Sequence, residues 1–185
     1  MIEFDSQRWR SRASIRLRRA LPRCKTHAQK VTIVAQWCHD IEHINRIEKV
    51  VDWCATKNVK VKFDSKIKNG LYAIGDKMIE LTCRARPARQ LCMLLHECGH
   101  HLIGHNERGT RFSMGYPVME NPKINNTFHH RITCLDEEME AWRRGWHLAE
   151  RLELGMERQS YDKVRLDCLR SYIKWVSGDK SLTIL

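Results

Sequence analysis

The apolar positions along this chain change their period several times, and each change marks a predicted element. From Ala28 to about Lys57 they recur every three or four residues, which predicts a long packing helix. Over residues 58–83 they alternate with polar positions, which predicts one strand followed by a β-hairpin. The helical period returns over 87–104, and again over roughly 135–154 and 160–176.

Two segments show no such period. Residues 1–26 are rich in arginine, and we interpret them as a basic N-terminal arm ahead of a domain spanning 27–185. Residues 105–133 are polar and contain both glycine and proline, which predicts a long loop. The order of helix, strands, helix, loop and two helices predicts an α+β fold, with a small antiparallel sheet packed on helices.

The helix predicted over 87–104 contains the pattern His-Glu-x-x-His. His96 and His100 stand four residues apart and project from one helix face, so their imidazoles can bind the same Zn²⁺ ion. Glu97 lies beside that face, where it can take a proton from a zinc-activated water without being a ligand. The pattern predicts zinc-dependent hydrolysis with Glu97 as the catalytic base, although a surface helix with two incidental histidines is the alternative.

A catalytic zinc also needs a third protein ligand and one open position. Glu138 is the favoured candidate, because its helix face is otherwise apolar and a buried carboxylate there needs a metal or a positive charge. His129 and His130 in the predicted loop stay open as alternatives, and so does a half-exposed Glu138 paired with an arginine. Tyr116 or His129 could donate a hydrogen bond to the oxyanion formed during hydrolysis.

Three stretches together resemble the ImmA/IrrE-type metallopeptidases, and small metallopeptidases encoded by bacteriophages. They are Gly70-Leu-Tyr with Lys77–Leu81, then Leu95-His-Glu-Cys-Gly-His100, then Glu138-x-x-Ala141. The resemblance covers roughly residues 58–154, and it implies a zincin-like fold and a zinc peptidase that cleaves a protein substrate. It also implies that Glu138 is the third ligand and that strand 77–82 pairs with the substrate as an added strand.

The chain departs from that family in two places. Trp142 stands where the family often has asparagine, and the gap between His100 and Glu138 is long. A weaker likeness to the SprT-like proteases, which cut DNA-bound proteins, would require His105, His129 or His130 as the last zinc ligand.

The net charge of +11 is concentrated near the N-terminus. Residues 1–30 hold nine Lys or Arg against two acids, which is +7, and the other residues carry only +4. Such a segment fits contact with nucleic acid, and it equally fits a solvated tail. The alternative function is therefore a nucleic-acid-binding or regulatory protein in which zinc is structural or vestigial.

Cysteine usage and hydropathy indicate a location. No two of the eight cysteines form a C-x-x-C pair, and five fall in predicted helices, so we expect reduced, mostly buried thiols. No apolar run reaches the length of about 18 residues that a membrane span needs, and the N-terminus lacks the apolar region of a signal peptide. We expect a cytoplasmic protein without a membrane partner, in the host cytoplasm if a phage encodes it.

Overall fold

The structure is a computed structural model that describes residues 5–68 and 70–178, without the side chains at positions 105, 106 and 118. His105, one of the alternative ligands, therefore lies outside the described side chains. The elements are α1 (Ser6–Ala20), a 3₁₀ turn (Leu21–Arg23), α2 (His27–Thr56), β1 (Lys60–Asp64), β2 (Leu71–Ala73), β3 (Met78–Thr82), α3 (Pro87–Gly109), a second 3₁₀ turn (Tyr116–Val118), α4 (Phe128–Arg151) and α5 (Arg158–Ser177). The chain divides into two compact units, Met1–Leu94 and Leu95–Leu185.

The segment interpreted as a basic arm contains a regular helix, α1. Asp5 caps its N-terminus by accepting a hydrogen bond from the backbone N–H of Arg8 at 3.0 Å. Trp9 is buried and meets the ring of Phe63 edge-on, with 5.0 Å between the ring centroids. The boundary predicted after residue 26 thus falls inside the first unit, between two helices that pack on each other.

The long helix α2 begins at a capping box, in which Thr26 and Gln29 bond each other's backbone N–H groups. Its second half packs as the sequence predicts, with Ile47 and Val50 fully buried. The first turns do not: Val31 is 53% exposed although it belongs to the predicted apolar stripe. The stripe is therefore a packing surface only from about residue 40 onward.

The sheet is mixed, so the predicted antiparallel arrangement is wrong for one of its two pairings. The strand order is β1-β3-β2, with β1 parallel and β2 antiparallel to β3. Ile79 and Leu81 of β3 are buried, as expected for the central strand of the sheet. Lys60 and Lys62 give β1 the charged side chains that are typical of an edge strand. The α+β class itself is confirmed.

The central position of β3 also corrects the predicted substrate strand. Residues Met78–Glu80 are paired with β1 on one side and with β2 on the other. Strand addition needs a free edge, so a substrate cannot pair along this part of the 77–82 segment.

The helices of the second unit differ from the prediction at their ends. Gly104 has φ +73°, a conformation that favours glycine, and α3 kinks there and continues to Gly109. Thr127 caps α4, whose first residue is Phe128, so the polar loop is shorter than the predicted 105–133. No described helix is both long enough and apolar enough to cross a membrane.

The eight cysteines, all within the described ranges, are free thiols. Cys54, Cys92 and Cys98 are buried as predicted, whereas Cys38 is exposed and Cys168 is only half-buried. The prediction of reduced thiols is therefore consistent with the structure, and the prediction of burial is wrong for two of the five helical cysteines.

Replacing Trp9 tests whether α1 belongs to the folded first unit. We expect Trp9→Ala to lower the free energy of unfolding by about 3–5 kcal/mol, because it removes a large buried side chain. The matched change Ile15→Ala, on the same helix but 46% exposed, should change it by less than about 0.5 kcal/mol. Urea denaturation of both variants measures the difference, and equal midpoints would contradict the packing of α1.

Candidate metal centre

Two glycines let α3 and α4 approach closely within the second unit. A Cβ atom built on Gly99 would lie 1.9 Å from the carbonyl oxygen of Ala141, and one built on Gly145 would lie 2.5 Å from that of Leu95. Any side chain at either position would collide with backbone. The two helices therefore touch backbone to backbone, and this contact sets how near their side chains come.

The contact brings the three favoured ligand residues together. Nε2 of His96 lies 3.2 Å from Oε2 of Glu138, and Nε2 of His100 lies 3.1 Å from Oε1 of the same carboxylate. All three side chains are buried. Within the described part of the chain, these are the only histidine, cysteine or acidic residues whose ligand atoms form a group of three, all within 4.8 Å of one another.

Burial and charge act against each other in this cluster. Burial by itself lowers the pKa of His100, but the carboxylate of Glu138 beside it prevails and raises that pKa to about 10 in the metal-free protein. Burial likewise acts to raise the pKa of Glu138, but His100 and His96 hold it well below its usual range. Without a metal, the cluster is therefore stabilised by an ion pair between His100 and Glu138.

A second carboxylate supports His100 from its other side. Oε1 of Glu137 lies 3.5 Å from Nδ1 of His100, and the same oxygen accepts a hydrogen bond from Nε of Arg108 at 2.9 Å. Arg108 also donates to the backbone carbonyl of His100. A carboxylate behind a ligand histidine fixes the ring orientation and the tautomer, so Glu137 can aim Nε2 of His100 at a metal.

Two tyrosines contact the remaining side of Glu138. The hydroxyl of Tyr116 donates to Oε1 of Glu138 at 2.6 Å, and it lies 3.0 Å from the hydroxyl of Tyr172 on α5. Burial, followed by the charge of Glu138, raises the pKa of both phenols, so both stay protonated and able to donate. Tyr116 was predicted to serve the oxyanion, but in the structure its hydroxyl orients the ligand carboxylate.

Trp142 covers the ring of His96. The two rings stack with 4.4 Å between centroids and 19° between planes, and Trp142 in turn meets Tyr161 edge-on. Trp142 is fully buried, and its face holds the ring of His96 in place. Nδ1 of His96 is buried and has no hydrogen-bond partner among the described residues.

The other predicted candidates lie elsewhere. His129 is exposed, and His130 is buried with Nδ1 2.9 Å from the carbonyl oxygen of Met114 and Nε2 3.7 Å from Sγ of Cys134. Neither histidine joins the cluster of His96, His100 and Glu138. Glu97, the predicted base, follows His96 on α3 and is buried.

Glu137 and Glu140 are both buried on α4 but contact different arginines. Glu140 accepts hydrogen bonds from Arg143 and Arg144 at 2.6–2.7 Å. Glu137 accepts one from Arg108 on α3. Its place beside His100 was not identified from the sequence.

The cluster could hold a metal ion, because one ligand atom from each of its three residues lies within 4.8 Å of the other two. Two imidazoles and one carboxylate are a ligand set that catalytic zinc uses. Burial raises the pKa of the Cys134 thiol to about 12, and this cysteine does not belong to the group of three.

Comparisons with family models, with characterised proteins and with solved structures found no match to this chain. The resemblance to ImmA/IrrE-type metallopeptidases therefore rests on the motif residues, and the zincin-like fold that it implies stays a prediction. The geometry of the cluster is the ground on which a function can be proposed.

A methyl group at position 99 tests the dependence of this cluster on the helix crossing. We expect Gly99→Ala to lower the free energy of unfolding by at least about 1–3 kcal/mol, because the new Cβ meets the backbone of Ala141 and α4 must shift. Gly109→Ala is the matched control, since its Cβ would meet nothing within 4 Å. Thermal unfolding compares the two, and a Gly99→Ala variant as stable as the control would refute the close crossing.

Proposed function

We propose that this chain is a zinc-dependent peptidase, in which His96, His100 and Glu138 hold the zinc and Glu97 is the general base. The convergence of three buried ligand atoms on one point carries this proposal. The competing explanation is an ion pair that only stabilises the fold, because buried histidines can pair with a glutamate without any metal. The motif spacing, the carboxylate behind His100 and the stacked ring on His96 together favour a metal centre.

Each side chain has a role in the proposed hydrolysis. A bound zinc supplies the positive charge that lowers the pKa of a water molecule and polarises a carbonyl group. Glu97 accepts the proton of the attacking water and returns it to the leaving nitrogen. Glu137 and Arg108 keep His100 in its tautomer, and Tyr116 keeps the Glu138 carboxylate in its orientation. A protein substrate is the class that the motif resemblance implies.

The first experiment measures zinc per chain. We expect one zinc in the wild-type protein and a zinc affinity at least about 100-fold lower in Glu138→Ala. The reason is that loss of a ligand should weaken zinc binding at least as much as loss of a residue that is hydrogen-bonded to a ligand. Asp136→Asn is the matched control, since Asp136 lies two residues away and pairs with Arg111 outside the cluster. Zinc retained in full by Glu138→Ala would move the third ligand to another residue, and the proposed site would be wrong.

The second experiment separates catalysis from metal binding. We expect Glu97→Gln to keep the zinc and the fold but to lower the rate of peptide hydrolysis by about 100-fold or more, because the base is lost. A casein digestion assay and a zinc determination on the same preparation measure both. Hydrolysis that survives this change would refute Glu97 as the base.

The alternative function keeps the zinc but not the hydrolysis. The burial of all three ligand side chains favours it, since structural zinc sites are closed whereas catalytic sites keep one position open. In that case the wild-type protein and Glu97→Gln should each hold one zinc, and neither should cleave a protein. Activity in the wild type alone would exclude the structural role.

The pKa of His100 predicts how zinc affinity depends on pH. Because that pKa is raised to about 10, a metal must displace a proton from His100 at any lower pH. The affinity should therefore rise about tenfold per pH unit between pH 6 and pH 9. In the metal-free protein, the stabilisation from the ion pair is fully present below pH 6.5 and is lost as the pH rises towards 10.

Calorimetry of zinc binding in buffers of different ionisation enthalpy counts the protons released. We expect about one proton per zinc at pH 8, and fewer in Glu137→Gln, where one of the two carboxylates that contact His100 and raise its pKa is absent. An affinity that does not change between pH 6.5 and pH 9 would contradict the raised pKa.

A further inference from the structure

The arginines of α1 form a line along one side of the helix. Arg8, Arg12, Arg16 and Arg19 are spaced four, four and three residues apart, so they fall within about 80° of one another around the axis. Arg23, in the 3₁₀ turn that follows, continues the line. From first to last it extends about 22 Å at the helical rise. We call these five residues the arginine stripe.

The stripe is exposed, and its charges are not neutralised. All five side chains are exposed, and none has a carboxylate partner within the described ranges 5–68 and 70–178. Arg10, on another side of α1, pairs with Glu48 at 2.6 Å. Isolated positive charges in a row repel one another, so this arrangement weakens the helix unless an anion lies along it.

A groove runs beside the C-terminal end of the stripe, within the first unit. Its volume is about 720 Å³, and Arg16, Arg19 and Arg23 line it on one side. Ala28 and Ile33 of α2 are among the residues on its other side. Among the residues that the structure describes, no acidic side chain and no aromatic ring lines this groove.

We propose that the arginine stripe and its groove bind the phosphate backbone of a nucleic acid. The arginine fork matches phosphate oxygens in two-point hydrogen bonds, and the stripe has no lysine. A backbone that carries one charge per nucleotide matches a straight row of cations, whereas the acidic side chains of a peptide follow no such repeat. This surface is independent of the metal centre.

The absence of aromatic rings in the groove defines the kind of binding. Bases are recognised by stacking or by hydrogen bonds to their edges. Trp9 on α1 is buried, and Trp37 on α2 is half-buried and does not line the groove. The surface therefore contacts phosphates and not bases. Binding should depend steeply on salt and hardly on sequence.

Fluorescence anisotropy with the full chain tests this proposal. The probes are labelled 20-nucleotide single strands and duplexes of two unrelated sequences. With five phosphate contacts, the affinity for duplex should fall about 500-fold between 50 and 200 mM KCl. Removing three contacts in Arg12→Gln, Arg16→Gln, Arg19→Gln should leave a fall of only about tenfold over the same range. Equal affinity for the two sequences is expected, and a preference above about tenfold would overturn backbone binding.

The matched control removes the same charge away from the stripe. Lys49→Gln, Lys57→Gln, Lys60→Gln changes three exposed lysines of the first unit and should leave the salt dependence as in the wild type. Circular dichroism of both triple variants checks that the helices remain. Equal losses in both would mean that only net charge matters, and would overturn the assignment to the stripe.

Two further measurements test the choice of partner and the independence from the metal centre. Polyglutamate of matched length should bind at least tenfold more weakly than the oligonucleotide, and equal binding would favour an acidic protein partner and overturn the proposal. Oligonucleotide binding should be the same before and after treatment of the protein with EDTA. A loss after the treatment would overturn the independence of the two sites.

Discussion

The close crossing of α3 and α4 is the constraint on which the candidate metal centre depends. Gly99 and Gly145 have no Cβ, so the backbones of the two helices meet, and the ligands on them need not reach far. With a larger residue at either position the helices would separate, and Glu138 would move away from the two histidines. Gly99, which lies between His96 and His100, is thus a packing residue whose small size also determines how close Glu138 comes to the two histidines.

Buried charge is the second feature that organises this region. His100, Glu138, Glu137 and Arg108 are all buried, and each contacts a group of opposite charge. Removing one member would leave another buried charge without compensation, which costs more than the lost contact itself. The network therefore orients these side chains before any ion is bound.

The period of the apolar residues predicted the helices and strands, and the helical spacing of two histidines predicted candidate metal ligands. His96 and His100 share a face because they are four residues apart, and Glu138 was found because an acid on an apolar face needs a partner. The contributions of Glu137 and Tyr172 could not be predicted, because both depend on how separate helices pack. The parallel pairing of β1 with β3 was missed for a similar reason, since local patterns do not reveal which strand lies in the middle.

The kink at Gly104 has an electrostatic consequence for the helix that carries the motif. Because the regular turns stop there, His100 lies in the last turn before a helix C-terminus, where the terminal carbonyl groups give the dipole its negative end. That end attracts cations, and Arg108 already donates to one of its carbonyls. The same field favours a proton on His100 in the metal-free protein, and it would favour a divalent ion that replaced this proton. The position of Gly104 therefore affects how strongly the cluster attracts positive charge.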